Sequence, residues 1–386
     1  MPMVRRMRYS LKPEITISNR KLFVFASPAY SGTWQSCSKR RDCFASLAMI
    51  TLSAGWRHFF LIVAVLSLII ITPSDVFASV TVQDFRGQRI TLKKPAERIV
   101  CLIESALSGL YMLGAEKSVV GVSTNVYQGS VYPYYADMDQ RIKNKSIPAP
   151  GNWDFVNMES VIALRPDLVI IWADQKESIK ALEDRGISVY GVFITRKEDV
   201  YKEMIDFGIL TGTRARAEEL VSFAKREIER FRKRILSVPD LHRPAVYYMW
   251  AQGNLETSCG DSTVNDLIEL AGGRNVCASI AKEHAVVKLE NILAWNPDVI
   301  VMWYNERKDP TDILNDNQWR TVKAIKNRRV HEFPEVFLCD LWTLKFHFAV
   351  KMVAKWSHPN LFRDIDMEAE KRVMMKKLYR REIRLL

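Results

Sequence analysis

Asn157-Met158-Glu159-Ser160-Val161-Ile162-Ala163-Leu164-Arg165-Pro166-Asp167-Leu168-Val169-Ile170-Ile171-Trp172 and Lys288-Leu289-Glu290-Asn291-Ile292-Leu293-Ala294-Trp295-Asn296-Pro297-Asp298-Val299-Ile300-Val301-Met302-Trp303 read as two copies of one segment. The glutamate, alanine, proline, aspartate and closing tryptophan coincide without a gap at an offset of 131 residues. Agreement of that quality points to two structurally equivalent units. Met158, Val161 and Ile162, like Leu289, Ile292 and Leu293, fall at i, i+3, i+4, which predicts a short helix that buries those side chains and turns its glutamate outward. Proline then ends the helix, and the aspartate leads into a wholly apolar run, as expected for a central strand of a parallel sheet.

Around the first copy, β-branched runs at 98–102, 119–123, 168–172 and 189–193 alternate with helical patterns at 106–113 and 176–184 that stop at Gly114 and Gly186. Around the second, strand candidates fall at 245–250, 275–278, 299–303 and 329–333, with a helix at 264–270 ended by Gly272-Gly273. Alternation with glycine stops predicts a parallel α/β unit in each half. A small hairpin around Gly87 precedes the first unit. Between the units, residues 198–210 read as a helix, and 214–236 as one long amphipathic helix connecting two lobes. The fold class is therefore α/β, with two Rossmann-like lobes on central parallel sheets joined by one long helix.

The one membrane-like stretch, residues 59–71, follows Arg57 and His58 and ends in Val76-Phe77-Ala78. A basic flank, a short apolar run and a small-x-Ala end predict a secretory signal cleaved after Ala78 rather than a spanning helix, which needs about 20 residues. Pro73 and Asp75 end the apolar run early, which disfavours an uncleaved anchor. Starting at Met49 gives this signal its usual length and leaves 1–48 as a non-native or disordered extension. The expected organisation is then signal peptide 49–78, N-terminal lobe 79–196, connecting helices 197–238, C-terminal lobe 239–362 and a basic helical tail 363–386 to which no role is assigned. Most of the net charge of +12 lies outside the lobes, since residues 1–48 hold nine basic and two acidic residues and the tail eight and five. A nucleic-acid partner loses its main support. Four cysteines follow Ala78; Cys259 and Cys277 are either a local disulfide or, like Cys101 and Cys339, buried thiols, and their spacing matches no zinc motif.

For Glu159 and Glu290 two readings stand: complementing a helix dipole in the first turn, or anchoring a basic partner from two equivalent positions. No Gly-x-Ser-x-Gly elbow, P-loop or Gly-x-Gly-x-x-Gly after a strand is present, and Gly272-Gly273 caps a helix. An enzyme is therefore not expected; a membrane-anchored α/β enzyme or sensor domain is the rival from another class.

The chain resembles the periplasmic binding proteins that serve ABC importers of ferric siderophores, haem, cobalamin and related metal complexes. The resemblance rests on residues 98–102 leading to Glu104-Ser105-Ala106, on Leu113-Gly114-Ala115 with Val120-Gly121-Val122-Ser123, on both copies of the Glu-x6-Pro-Asp segment and on Leu270-Ala271-Gly272-Gly273, and it spans residues 90–362. It implies that Glu159 and Glu290 dock on arginines of a permease dimer, and that a monomer delivers its ligand from a cleft between the lobes. Cleft sites of α/β lobes lie at the carboxyl ends of the strands, where Trp172, Trp250 and Trp303 close three strands. Glu104, Ser105, Tyr127, Trp153, Arg196, Tyr304, Asp340 and Trp342 complete the candidate ligand-binding set. Planar aromatics with an arginine suit a bulky, partly anionic chelate, with a ferric siderophore the leading candidate and haem or a corrinoid the alternatives. No His or carboxylate cluster has metal-ligand spacing, so a saturated complex is expected to bind with no protein ligand to the metal and no resident cofactor. The segment 341–362, with His358-Pro359-Asn360, resembles a subset of the family that includes oxyanion binders, which adds molybdate or tungstate as an alternative.

Overall fold

The computed structural model describes residues 79–305 and 307–381, all within one unit that runs from Pro73 to Leu386. The expected signal peptide and upstream extension lie outside the described residues. Among the described residues no helix is long and apolar enough to cross a membrane.

The hairpin β1 (Val80–Gln83) and β2 (Arg89–Leu92) pairs antiparallel and turns at Gly87, whose φ of +79° favours glycine. In the first lobe β3 (Ile99–Cys101), β4 (Val119–Val122), β5 (Leu168–Trp172) and β6 (Ser188–Val192) form a parallel sheet in the order β4-β3-β5-β6. Helix α1 (Glu104–Leu113) follows β3 and stops at left-handed Gly114, and α2 (Met158–Ala163) precedes β5. Helices α3 (Lys197–Leu210) and α4 (Arg214–Ile235) come next. The second lobe holds β7 (Ala245–Met249), a minor antiparallel pair β8 (Glu256–Thr257) and β10 (Ala285–Val286), and β9 (Arg274–Asn275), β11 (Val299–Met302) and β12 (Val330–Glu332). Its parallel sheet runs β12-β11-β7-β9. Numbered within its own lobe, each sheet reads 2-1-3-4, so the repeat in the sequence is a repeat of topology. The second lobe's main helices are α5 (Thr263–Leu270), α6 (Leu289–Trp295) and α7 (Phe346–Ser357), and α8 (Met367–Tyr379) follows as the tail.

Period-2 alternation explains why both repeat strands are apolar throughout. Val169 and Ile171 of β5 pack with Val161 of α2 on one face, while Leu168 and Ile170 enter the main core on the other. In the second lobe Ile300 and Met302 pack with Ile292 of α6, while Val299 and Val301 enter the main core. Val161 and Ile292 are fully buried, but Ile162 and Leu293, expected beside them, are 37% and 36% exposed. Helices of six and seven residues bury one row, and the next residue turns to solvent with the glutamate.

The Pro-Asp pair is architectural. The residue before each proline, Arg165 and Asn296, takes the same left-handed φ of +45° and reverses the chain. Asp167 then accepts the Glu97 N–H at 2.8 Å and the Arg98 N–H at 3.1 Å, pinning β5 to the start of β3. Asp298 accepts the Ala245 N–H at 2.9 Å and pins β11 to β7 in the same way.

Two elements cross between the lobes. The 22-residue α4 buries Ala217, Leu220, Ala224, Ile228, Phe231 and Ile235, packing on α3 and on α7. The tail helix α8 returns from the second lobe to the first. Its Tyr379 hydroxyl lies 2.6 Å from Ser108 Oγ of α1, and Arg381 donates to the Asp137 and Met138 carbonyls at 3.2 and 2.5 Å. Arg216 of α4 donates to the Lys377 and Leu378 carbonyls at 2.6 and 3.1 Å.

Cys259 and Cys277 are joined in a disulfide, and Cys101 and Cys339 are free and buried. Closing a loop with a sequence separation of 18 restricts the unfolded chain by roughly 3 kcal/mol. A Cys259→Ser, Cys277→Ser double variant should lose about that much in urea unfolding; an unchanged midpoint would mean that the bond contributes nothing.

Candidate ligand-binding site

Two connected cavities open at the carboxyl ends of the two sheets. The larger, about 550 Å³, is lined from the first lobe by Glu104, Asn125 and residues 128–131, and from the second by Ala251, Gln252, Trp303, Tyr304, Asn305, Arg307 and Val336. A side pocket of about 110 Å³ shares Glu104, Asn125 and Val336 with it and adds residues 102, 103 and 105, Trp153, Trp172, Asp340 and Trp342.

The repeat places two of these walls. Trp172 ends β5 and Trp303 directly follows β11, so equivalent strands deliver a tryptophan to the cleft from each side. The Trp303 N–H donates to the Met249 carbonyl at 2.8 Å, which extends the ladder to this residue. Trp153 sits on a loop that folds back at Gly151, where a Cβ would come within 2.4 Å of the Phe155 carbonyl oxygen. The Asn152 amide fastens that loop by donating to Thr124 Oγ1 at 2.8 Å, leaving Trp153 61% exposed at the rim.

Beside the aromatic wall lies a group of charges, Asp340 and Lys345 buried and Glu104 half-buried. Glu104 opens α1, and Asp340 and Lys345 come from the segment before α7. Asp340 is 3% exposed and accepts the Trp342 N–H at 2.9 Å. Lys345 is fully buried, donates to Ser108 Oγ at 3.0 Å and lies 3.8 Å from the Phe337 ring centroid. Burial, and then the Asp340 carboxylate, push the Glu104 carboxyl up to about 7, against the pull of Lys345. Burial likewise raises Asp340 and lowers Lys345. On α3, Glu203 has a buried Oε1 with no hydrogen bond among the described residues, and burial with Asp340 and Asp206 drives its carboxyl well above the usual range.

Of the residues singled out from sequence, Glu104, Ser105, Trp153, Trp172, Trp303, Tyr304, Asp340 and Trp342 line one cavity or the other. Three stand apart. Trp250 is 7% exposed and lies behind the wall, its Nε1–H donating to Ser258 Oγ at 2.8 Å and its ring stacking on Trp342 at 6.0 Å. The Tyr127 hydroxyl donates to the Ile147 carbonyl at 2.8 Å, and its ring packs on Tyr132. Arg196 caps α3 with an exposed side chain and takes no part in lining either cavity, so the basic group at the cleft is Arg307 instead. Glu159 and Glu290 are both exposed in the first turns of α2 and α6 and make no ion pair among the described residues.

Residues 99–336 match a family described as periplasmic binding protein. The chain belongs to that family. Its relatives include the molybdate-binding protein MolA of Haemophilus influenzae, 27% identical over 78% of this chain and 90% of MolA. The vitamin B12-binding protein of Vibrio parahaemolyticus is 21% identical over 61% of this chain and 81% of its own. Among solved structures, molybdate-bound MolA superposes with a TM-score of 0.68 at 25% identity, covering 78% of this chain and 98% of MolA. The Helicobacter pylori protein Ceue with Ni(II) bound gives 0.67 at 20% identity over 78% and 96% of the two chains, which speaks to the fold alone. This family member thus shares a two-lobed α/β fold with molybdate-bound MolA, and its relatives include proteins named for binding molybdate and vitamin B12.

Proposed function

We propose that this binding protein, exported to the periplasm by cleavage after Ala78, captures a bulky metal chelate, a ferric siderophore foremost, and as a monomer hands it to the permease dimer of an ABC importer. The observation that carries this reading is the cleft itself: a cavity of about 550 Å³ with Trp303 in its lining, beside a side pocket lined by Trp153, Trp172 and Trp342. Flat aromatic faces bury apolar chelate surface, while Asn125, Gln128, Gln252 and Arg307 line the same cavity as polar groups able to reach outward chelate oxygens.

The similarity to MolA supports a second reading, an oxyanion such as molybdate. Carboxylates at Glu104 and Asp340 weigh against it, because a dianion beside them adds like charge in a poorly solvated pocket. Tryptophan fluorescence titrated with ferric siderophores, haem, cobalamin and molybdate separates the two. A saturable response to at least one chelate is expected, with Trp303→Ala weakening it about 30-fold or more, as loss of a central aromatic anchor does. Saturation by molybdate alone would replace the chelate reading, and silence throughout would sink both.

A further inference from the structure

The side pocket carries chemistry that a saturated chelate does not itself require. At about 110 Å³ it has room for about three to four waters. Trp153 and Trp172 from one lobe and Trp342 from the other form its walls, and carboxylates from both lobes, Glu104 and Asp340, lie on its floor. Asp340 is 3% exposed; one oxygen accepts the Trp342 N–H, and no hydrogen bond or ion pair among the described residues reaches the other. The Glu104 side chain likewise makes none. Lys345, the buried cation of the cluster, is held by Ser108 and Phe337 and forms no ion pair with either carboxylate.

We propose that this pocket is a cation-recognising subsite that takes an alkylammonium group of the ligand. Aromatic faces attract ammonium groups, and a buried carboxylate favours a cation that completes its hydrogen bonds. Two carboxylates line the pocket and no Lys, Arg or His does, so its lining holds no cation to partner them. The upward push on Glu104 to about 7, from burial and then Asp340, is the same shortage in another form. The subsite deepens the chelate reading by giving the ligand a cationic arm, but it is tested without a chelate.

Titration of the protein, from Ser79 onward, with n-butylammonium, n-butanol and butyrate, read by tryptophan fluorescence, is the direct experiment. Butylammonium should saturate at least tenfold more tightly than butanol, and butyrate should not saturate. Asp340→Asn, which keeps the shape and the acceptor for Trp342, should reduce butylammonium to the level of butanol. Trp153→Ala, at a 61% exposed position, should weaken it severalfold with no effect on folding, and it carries the test if the Asp340 variant does not fold. Equal binding of butylammonium and butanol, or indifference of a folded Asp340→Asn protein, overturns the subsite. A ferric trihydroxamate with a terminal ammonium should likewise bind at least tenfold more tightly than its N-acetylated form. Equal binding of that pair overturns the subsite and leaves the chelate cleft standing, whereas failure of every chelate overturns only the chelate reading.

Discussion

Removal of residues 366–386 is expected to cost this protein most of its stability, although the tail reads from sequence only as a basic helix. Met374, Met375, Leu378 and Tyr379 are 0%, 2%, 0% and 7% exposed, so α8 is seated in the main core. Its loss also takes the Lys377 and Leu378 carbonyls from Arg216, itself 9% exposed, which keeps only the Met112 carbonyl and the Glu219 carboxylate, and a buried donor left unsatisfied costs about 1–3 kcal/mol. Glu370 leaves as well, and with it one of the two carboxylates that hold the buried Lys351 at 2.5 and 2.6 Å. Domains hold about 5–15 kcal/mol in total, so the truncated chain should show no cooperative thermal transition by circular dichroism at 37 °C or above. The single change Leu378→Ala should cost about 2–5 kcal/mol. An unaltered melting temperature in the truncated protein would mean that the tail is dispensable decoration.

Reversing both outward glutamates, Glu159→Lys with Glu290→Lys, is expected to abolish delivery while leaving ligand affinity within about twofold of wild type. Each is exposed in a first helical turn with no ion pair among the described residues, and such substitutions rarely change stability by more than about 0.5 kcal/mol. Each also lies three positions from an exposed apolar side chain, Ile162 or Leu293, on the same helical face. Two lobes therefore present the same composite patch, a carboxylate beside an aliphatic group. A charge-assisted contact contributes about 1.5–3 kcal/mol, so each single reversal should weaken docking roughly 10- to 100-fold, and the pair more. Transport into proteoliposomes holding the cognate permease, with ligand binding measured in parallel, reads both quantities. Loss of ligand affinity in either single variant would assign the glutamates to the cleft and refute docking.

How much of this was legible depends on whether a residue's role is periodic. The repeat, the Gly114 stop, the long connecting helix and the central strands follow from patterns every two or three to four residues. Trp172 and Trp303 were within reach because they end such patterns. Trp250 ends one too, yet Tyr248, Trp303 and Trp342 surround it, and sequence does not say which strand end a neighbouring segment will cover. Arg196 and Arg307 are both arginines near a strand end; only the path of the following loop decides which reaches the cavity. Lys345 left no trace, since a lysine between Leu344 and Phe346 looks like a solvated residue until Ser108 arrives from 237 positions away. Gln128 and Gln252 lie in irregular segments, and Asn125 in a short 3-10 turn, where polarity is the ordinary state.

In each lobe the outward glutamate and the cleft-facing tryptophan belong to one helix–strand unit of 14 residues, from Glu159 to Trp172 and from Glu290 to Trp303, held stiff by a left-handed reversal and an aspartate clamp. A movement that brings the two tryptophans together on a ligand must therefore change the span between the two glutamates as well. In a lobe closure the molecule would act as a caliper, with the opening of its jaws at the cleft repeated in the distance between its outer points.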